Sequence, residues 1–158
     1  MTQRRIVSGG QTGVDRAALD AALDAGFPCG GWCPPGREAE DGPIPGRYPL
    51  DEMPSGGYLE RTIRNVEESD GTLVIHFGPL RGGTERTVFH CTRLGKPVLL
   101  VDGDRVPPGP TADRAAVFIA QHRIAVLNVA GPRASQSPQG HHHAYATVTR
   151  LLGLIANP

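Results

Sequence analysis

Arg5-Ile6-Val7-Ser8-Gly9-Gly10-Gln11-Thr12-Gly13-Val14-Asp15-Arg16 is the stretch that decides how the chain reads. A short apolar run enters a glycine turn, and the turn opens onto Val14, Ala18 and Ala22, with Leu19 and Leu23 beside them, at helical spacing. Gly26 is the stop signal. Thr12 with Asp15 three residues on resembles a capping box, with Asp shorter than the preferred Glu. Strand, glycine turn, helix is a common way to build a phosphate site. Glycine lets backbone approach an anion, and the first unpaired helical N–H groups and the positive end of the helix dipole attract it. The design recurs at Gly82-Gly83-Thr84, behind the apolar run 71–77 (GTLVIHF). Two such turns point to a phosphorylated ligand.

Outward from these turns, strand-like and helix-like segments alternate. Strands are expected at 5–8, weakly at 29–32, and at 71–77, 97–101 and 125–129, with helices at 14–25, 58–68, about 85–94, 112–121 and 144–155. In the second helix Leu59, Ile63 and Val66 share a face. Five strands alternating with five helices predict a doubly wound, Rossmann-like α/β fold: a mainly parallel five-stranded sheet with helices on both faces. At 158 residues, with no internal repeat, the chain is expected to be one domain over 1–158.

Composition removes several function classes. Sixteen basic and sixteen acidic residues leave no net field to attract nucleic acid or anionic lipid. No apolar run approaches the roughly 20 residues needed to span a bilayer, and the start lacks a signal-peptide apolar segment, so a cytoplasmic protein is expected. Three cysteines, Cys29, Cys33 and Cys91, form no paired framework, which fits a reducing compartment. Metal signals are weak. His141-His142-His143 point in different directions around a helix start, and Cys29 and Cys33 lack a second ligand pair, so no metal site is expected.

In a doubly wound sheet the loops after the strands converge on one rim and hold the ligand. The binding candidates are therefore Gly9, Gly10, Gln11, Thr12, Gly13 and Arg16 after the first strand, Gly82, Gly83, Thr84 and Thr87 after the third, and Arg133 after the fifth. A lone glycine turn could equally be a tight bend, and Thr84 or Thr87 could simply cap a helix. Arg16 and Arg133 could each present a fork to an anion. Asp15 is most simply a dipole partner. Residues 33–54, with six prolines, read as a stiffened flap over the ligand, and Cys33 reads as exposed at the site. Its adjacent carboxylates Glu40 and Asp41 are the catalytic candidates, or solvate the loop. Arg61 and Asn65, spaced i, i+4, read as a solvated pair or as rim residues. Trp32 is core or a stacking platform. His76 and His90 pack or face solvent.

The runs SGGQTGVDRAALDAAL, GGWCPPGREAEDGPIP with YPLDE, RTIRNVEESDGTLV, GGTERT and LNVAGPR resemble, in this order, the proteins described as molybdenum carriers, the circularly permuted YpsA-like branch of the SLOG superfamily. The resemblance covers essentially the whole chain from Ile6. It implies a nucleotide-type or phosphorylated small ligand at the glycine turns, with molybdenum cofactor, a phosphorylated pterin dithiolene, as the ligand behind the carrier description. It raises Arg61 and Asn65, within RTIRNV, to rim residues. It also implies kinship with phosphoribohydrolases, whose PGGxGTxxE run ends on a catalytic glutamate. Here the corresponding stretch is Arg81-Gly82-Gly83-Thr84-Glu85-Arg86-Thr87-Val88-Phe89-His90, without a glutamate at the closing place, though Glu40, Asp41 or Asp15 could substitute from another loop. A carrier is favoured over a nucleotide N-glycosidase or a nucleotide-sensing module, and a homodimer is in keeping with relatives of the fold.

Overall fold

The structure is a computed structural model, and residues 3–156 are described. Five parallel strands form the central sheet: β1 (Arg5–Val7), β2 (Cys29–Gly30), β7 (Gly71–His76), β8 (Val98–Asp102) and β9 (Val126–Ala130), in the order β2-β1-β9-β7-β8. Five helices connect them: α1 (Val14–Asp24), α2 (Tyr58–Glu67), α3 (Gly82–Arg93), α4 (Pro108–His122) and α5 (Gly140–Ile155). β7 is the longest buried apolar run, with Leu73, Val74 and Ile75 fully buried, as expected of a parallel strand covered on both faces. Helices α1, α4 and α5 pack together on one face, and α2 packs against α3 on the other. The doubly wound fold read from the alternation is the observed one.

The strand order has a simple explanation. If β9 and α5 are moved ahead of β1, the order reads 3-2-1-4-5, the usual Rossmann arrangement. The place where α5 would then run into β1 is closed by contact: the Arg4 guanidinium donates to the Ile155 carbonyl at 2.7 Å. The reversal of strand order falls between β9 and β7, where α5 and α3 leave on opposite faces. Ligands of this fold class bind at that crevice.

Several boundaries differ from expectation. α3 begins at Gly82 rather than near residue 85: Arg81 is extended, Gly82 at φ 58° makes the turn, and the helix follows directly on the glycines. α4 and α5 begin about four residues early, the former on Pro108 and Pro110, which suit a first turn. The second strand ends at Gly30. Trp32 instead belongs to β3 (Trp32–Cys33), paired in parallel with β6 (Asp51–Glu52).

Residues 33–54 are folded rather than loose. Besides β3 and β6 they hold a 3-10 turn (Pro35–Arg37) and an antiparallel ribbon of β4 (Glu38–Ala39) and β5 (Gly42–Pro43). Arg37 ties the segment together by donating to the carbonyls of Ile44, Pro45, Tyr48 and Leu50. Ile44, Tyr48 and Leu50 bury themselves with Cys33 against Leu19 of α1. Cys33 is therefore interior, not exposed at a site.

Candidate functional site

At the crevice between β9 and β7 lies a cavity of about 300 Å³. The turn after β1 contributes Gly9 and Gln11, and α1 contributes Asp15. From α2 come Tyr58, Leu59, Arg61, Thr62 and Asn65, and from α3 come Gly82, Gly83, Thr84, Arg86 and Thr87. The end of β9 and its loop supply Asn128 to Arg133 and Gln136. Both glycine turns thus open on one cavity, as a shared rim requires. None of residues 33–54 lines it, so the proline-rich segment is not its cover. Helix α2 is, because Asn65 clamps α2 to β3 by accepting from the Trp32 N–H at 2.9 Å and donating to its carbonyl at 3.0 Å.

The arginines differ in what their guanidinium groups hold. Arg16 donates through Nε and Nη2 to the Gly10 carbonyl, at 3.1 and 3.0 Å, and through Nη1 and Nη2 to Asp41, at 2.7 and 3.2 Å. It binds the flap to the first turn and lies outside the cavity wall. Arg61 is only 12% exposed, yet its one side-chain hydrogen-bond partner among the described residues is Asp15, Nη1 to Oδ2 at 3.3 Å, with the Tyr58 ring centroid 5.8 Å from its Cζ. Its Nε is buried without an acceptor. A buried donor left this way costs about 1–3 kcal/mol, which an acceptor entering the cavity would remove. Gly9 makes room for this group, since a Cβ there would sit 1.7 Å from Arg61 Nη1.

Asp15 is the sole carboxylate among the lining residues. Burial pushes its carboxyl up from 3.8 to about 6, against the opposing pull of Arg61 and of the backbone N–H groups of Gln11 and Gly131. Thr84 and Thr87 are buried in the first turns of α3, and the Thr87 hydroxyl donates to the Gly83 carbonyl at 3.0 Å. Arg86 and Arg133 stand exposed at the mouth.

The remaining candidates sit elsewhere. The Thr12 hydroxyl donates to Glu40 and accepts from the Ala134 N–H at 3.1 Å, so it does not cap α1, whose N-cap is Gly13. Glu40 also accepts from the Ser135 hydroxyl at 2.5 Å and N–H at 3.1 Å, with Arg133 Nε 3.6 Å away. Hydrogen bonds from Ser135 and Thr12 hold its carboxyl below the usual range, and the Arg16 bond does the same for Asp41. Glu40 fastens the flap to the loops at Thr12 and Ser135, Asp41 fastens it to Arg16 of α1, and neither lines the cavity. Gly10 and Gly13 are enclosed by protein.

The other singled-out groups are also engaged away from the cavity. Trp32 donates to Glu68 and lies under Arg64, whose Cζ is 4.0 Å from the ring centroid. His141 meets Asp20, and His143 is buried against the Val106 carbonyl. No group of three or more His, Cys, Asp or Glu side chains among the described residues is arranged to hold a metal. The sequence reading missed Tyr58, Leu59, Thr62, Arg86, Asn128 and Gln136 as wall residues, and weighed Asp15 as a dipole partner or substitute carboxylate. Leu59 carried a usable signal: placed on the apolar face of α2, it is 44% exposed at the cavity mouth, with Tyr58 equally so.

A doubly wound sheet with its cavity at the reversal of strand order defines the class. The model of the circularly permutated YpsA SLOG family matches residues 6–152, and the chain belongs to that family. The solved structure of a protein described as a putative molybdenum carrier protein from Syntrophus aciditrophicus SB is similar, at 44% identity over 96% of each chain and with a TM-score of 0.92. Among curated proteins there is no match. No helix among the described residues is long and apolar enough to cross a membrane.

Proposed function

We propose that the chain is a carrier for a phosphorylated heterocycle, held with its anionic group between Arg61 and the first turn of α3. The observation that carries this reading is Arg61: a buried guanidinium with an unpartnered Nε on the wall of a ligand-sized cavity. The N–H groups at Gly82 to Thr84, the positive end of α3 and Arg86 add to the same anion-binding character. Tyr58 and Leu59 offer apolar surface to the ligand's body.

The description of the similar protein as a molybdenum carrier supports molybdenum cofactor as the cargo. The lining contains neither Cys nor His, so its donors suit phosphate and oxo oxygens rather than bonds to the metal itself. Molybdenum would be carried within its own organic ligand.

A second reading, an N-glycosidase acting on a nucleotide, draws on Asp15, a buried carboxyl whose proton affinity is lifted to about 6 and which shares the cavity wall with Thr87. Mass spectrometry of the small molecule that co-purifies with the chain separates the two. The carrier reading expects a phosphorylated heterocycle recovered intact, and Arg61→Met to lower its retention roughly 10- to 100-fold, the worth of a charged hydrogen bond. Free base released from nucleoside monophosphates, and abolished by Asp15→Asn, would establish the glycosidase instead.

A further inference from the structure

Asp15 is assigned no role by the carrier reading, yet it is the one carboxylate in a wall otherwise suited to anions. Its side chain is 7% exposed, and it shares Arg61 through a single 3.3 Å contact. A ligand anion reaching for Arg61 would arrive beside this buried carboxylate. Two negative charges a few ångströms apart in a poorly solvated cavity repel strongly, and the usual resolution is that one takes a proton.

We propose that Asp15 couples ligand capture to proton uptake: the incoming oxyanion takes over Arg61, and Asp15 draws one proton from solvent and remains in the wall as a neutral carboxylic acid. The inference rests on the carrier reading of the cavity. No bond is made or broken in the ligand, and the protonated carboxyl can donate its O–H to an anionic oxygen.

The surroundings leave Asp15 as the group to respond. The charged and titratable groups that share the cavity wall with it are Tyr58 and Arg61 from α2, Arg86 from α3 and Arg133 from the β9 loop, whose Nε lies 3.6 Å from Glu40. Arg16, next to it on α1, is engaged with Asp41 and the Gly10 carbonyl. No histidine lines the cavity, and arginine does not titrate in the physiological range. Burial already lifts the free carboxyl to about 6, so the proton is taken up near neutrality.

Sulfate is the probe, because it keeps two charges from about pH 5 to 8, the window in which ordinary histidines and perturbed acids titrate. Titration calorimetry in buffers of different ionisation heat is expected to show close to one proton taken up per sulfate near pH 8 and little near pH 5. Affinity should fall about tenfold per pH unit above the Asp15 transition. In Asp15→Asn the pH slope should vanish. If that variant fails to fold, the proton count of the unaltered chain decides. Sulfate binding in the unaltered chain without proton uptake, or an unchanged slope in Asp15→Asn, would overturn the coupling. Absence of sulfate binding near pH 5, or equal binding by Arg61→Met, would overturn the carrier reading on which it rests.

Discussion

The two glycine turns look alike in sequence and differ in what surrounds them. Around the first, protein fills every space a side chain would need: Arg61 lies against Gly9, Leu50 and Ile44 against Gly10, and the Pro132 carbonyl against Gly13. Around Gly82 and Gly83 a Cβ would meet nothing within 4 Å. The first turn is glycine because the interior is crowded there. The second is glycine beside open space at the cavity, with the N-terminus of a twelve-residue helix behind it. One sequence signature therefore serves two physical needs, and the neighbours, not the motif, tell them apart.

The largest effect that would break this contrast is expected at Gly13. Its φ of 84° and ψ of −131° lie where only glycine sits easily, and an added Cβ would stand 2.5 Å from the Pro132 carbonyl, which is backbone and cannot swing away. Gly13→Ala should cost about 3 kcal/mol or more in denaturant unfolding. A loss below 1 kcal/mol would mean that the first turn is less crowded than described.

The next effect concerns the carboxylate beside the first turn. Asp15 binds its proton more tightly in the folded chain, at about 6, than in the unfolded one, at about 3.8. Its favourable contribution is complete below the unfolded value and is lost as pH rises through 6. From about pH 4 to 7 that loss is about 2 kcal/mol, and Asp15→Asn should flatten this part of the pH-stability curve. Equal pH dependence in the two chains would contradict the burial assigned to this group.

Much of the fold was legible because a parallel sheet writes itself as apolar runs separated by helical periodicity, and β7 shows this most clearly. The strand order was not, since nothing local says that β9 inserts between β1 and β7. The flap was misplaced for a related reason. Its shape depends on Arg37 gathering four carbonyls and on Leu50 and Ile44 packing over Gly10, contacts with no spacing rule. Within the site, Arg61 and the α3 glycines were readable from their motifs. Asp15 and Arg16 show the limit: adjacent in sequence, they point about a quarter-turn apart on α1, so one lines the cavity and the other holds the flap. Glu40 and Asp41 read as a carboxylate pair from adjacency alone, and only the structure shows that both are hydrogen-bonded to neighbouring segments and lie off the cavity wall.

The central claim is that the ligand lies against the second turn, and Gly83→Val tests it most directly. A Cβ at this position would meet no protein atom within 4 Å, and φ there needs no glycine, so stability should change by no more than about 1 kcal/mol, the scale of helix propensity. Native mass spectrometry of the purified chain, read alongside its thermal unfolding, measures both quantities on one sample. The account predicts an unfolding temperature close to that of the unaltered chain with the co-purifying ligand lost. A Gly83→Val chain that keeps its ligand in full would contradict it.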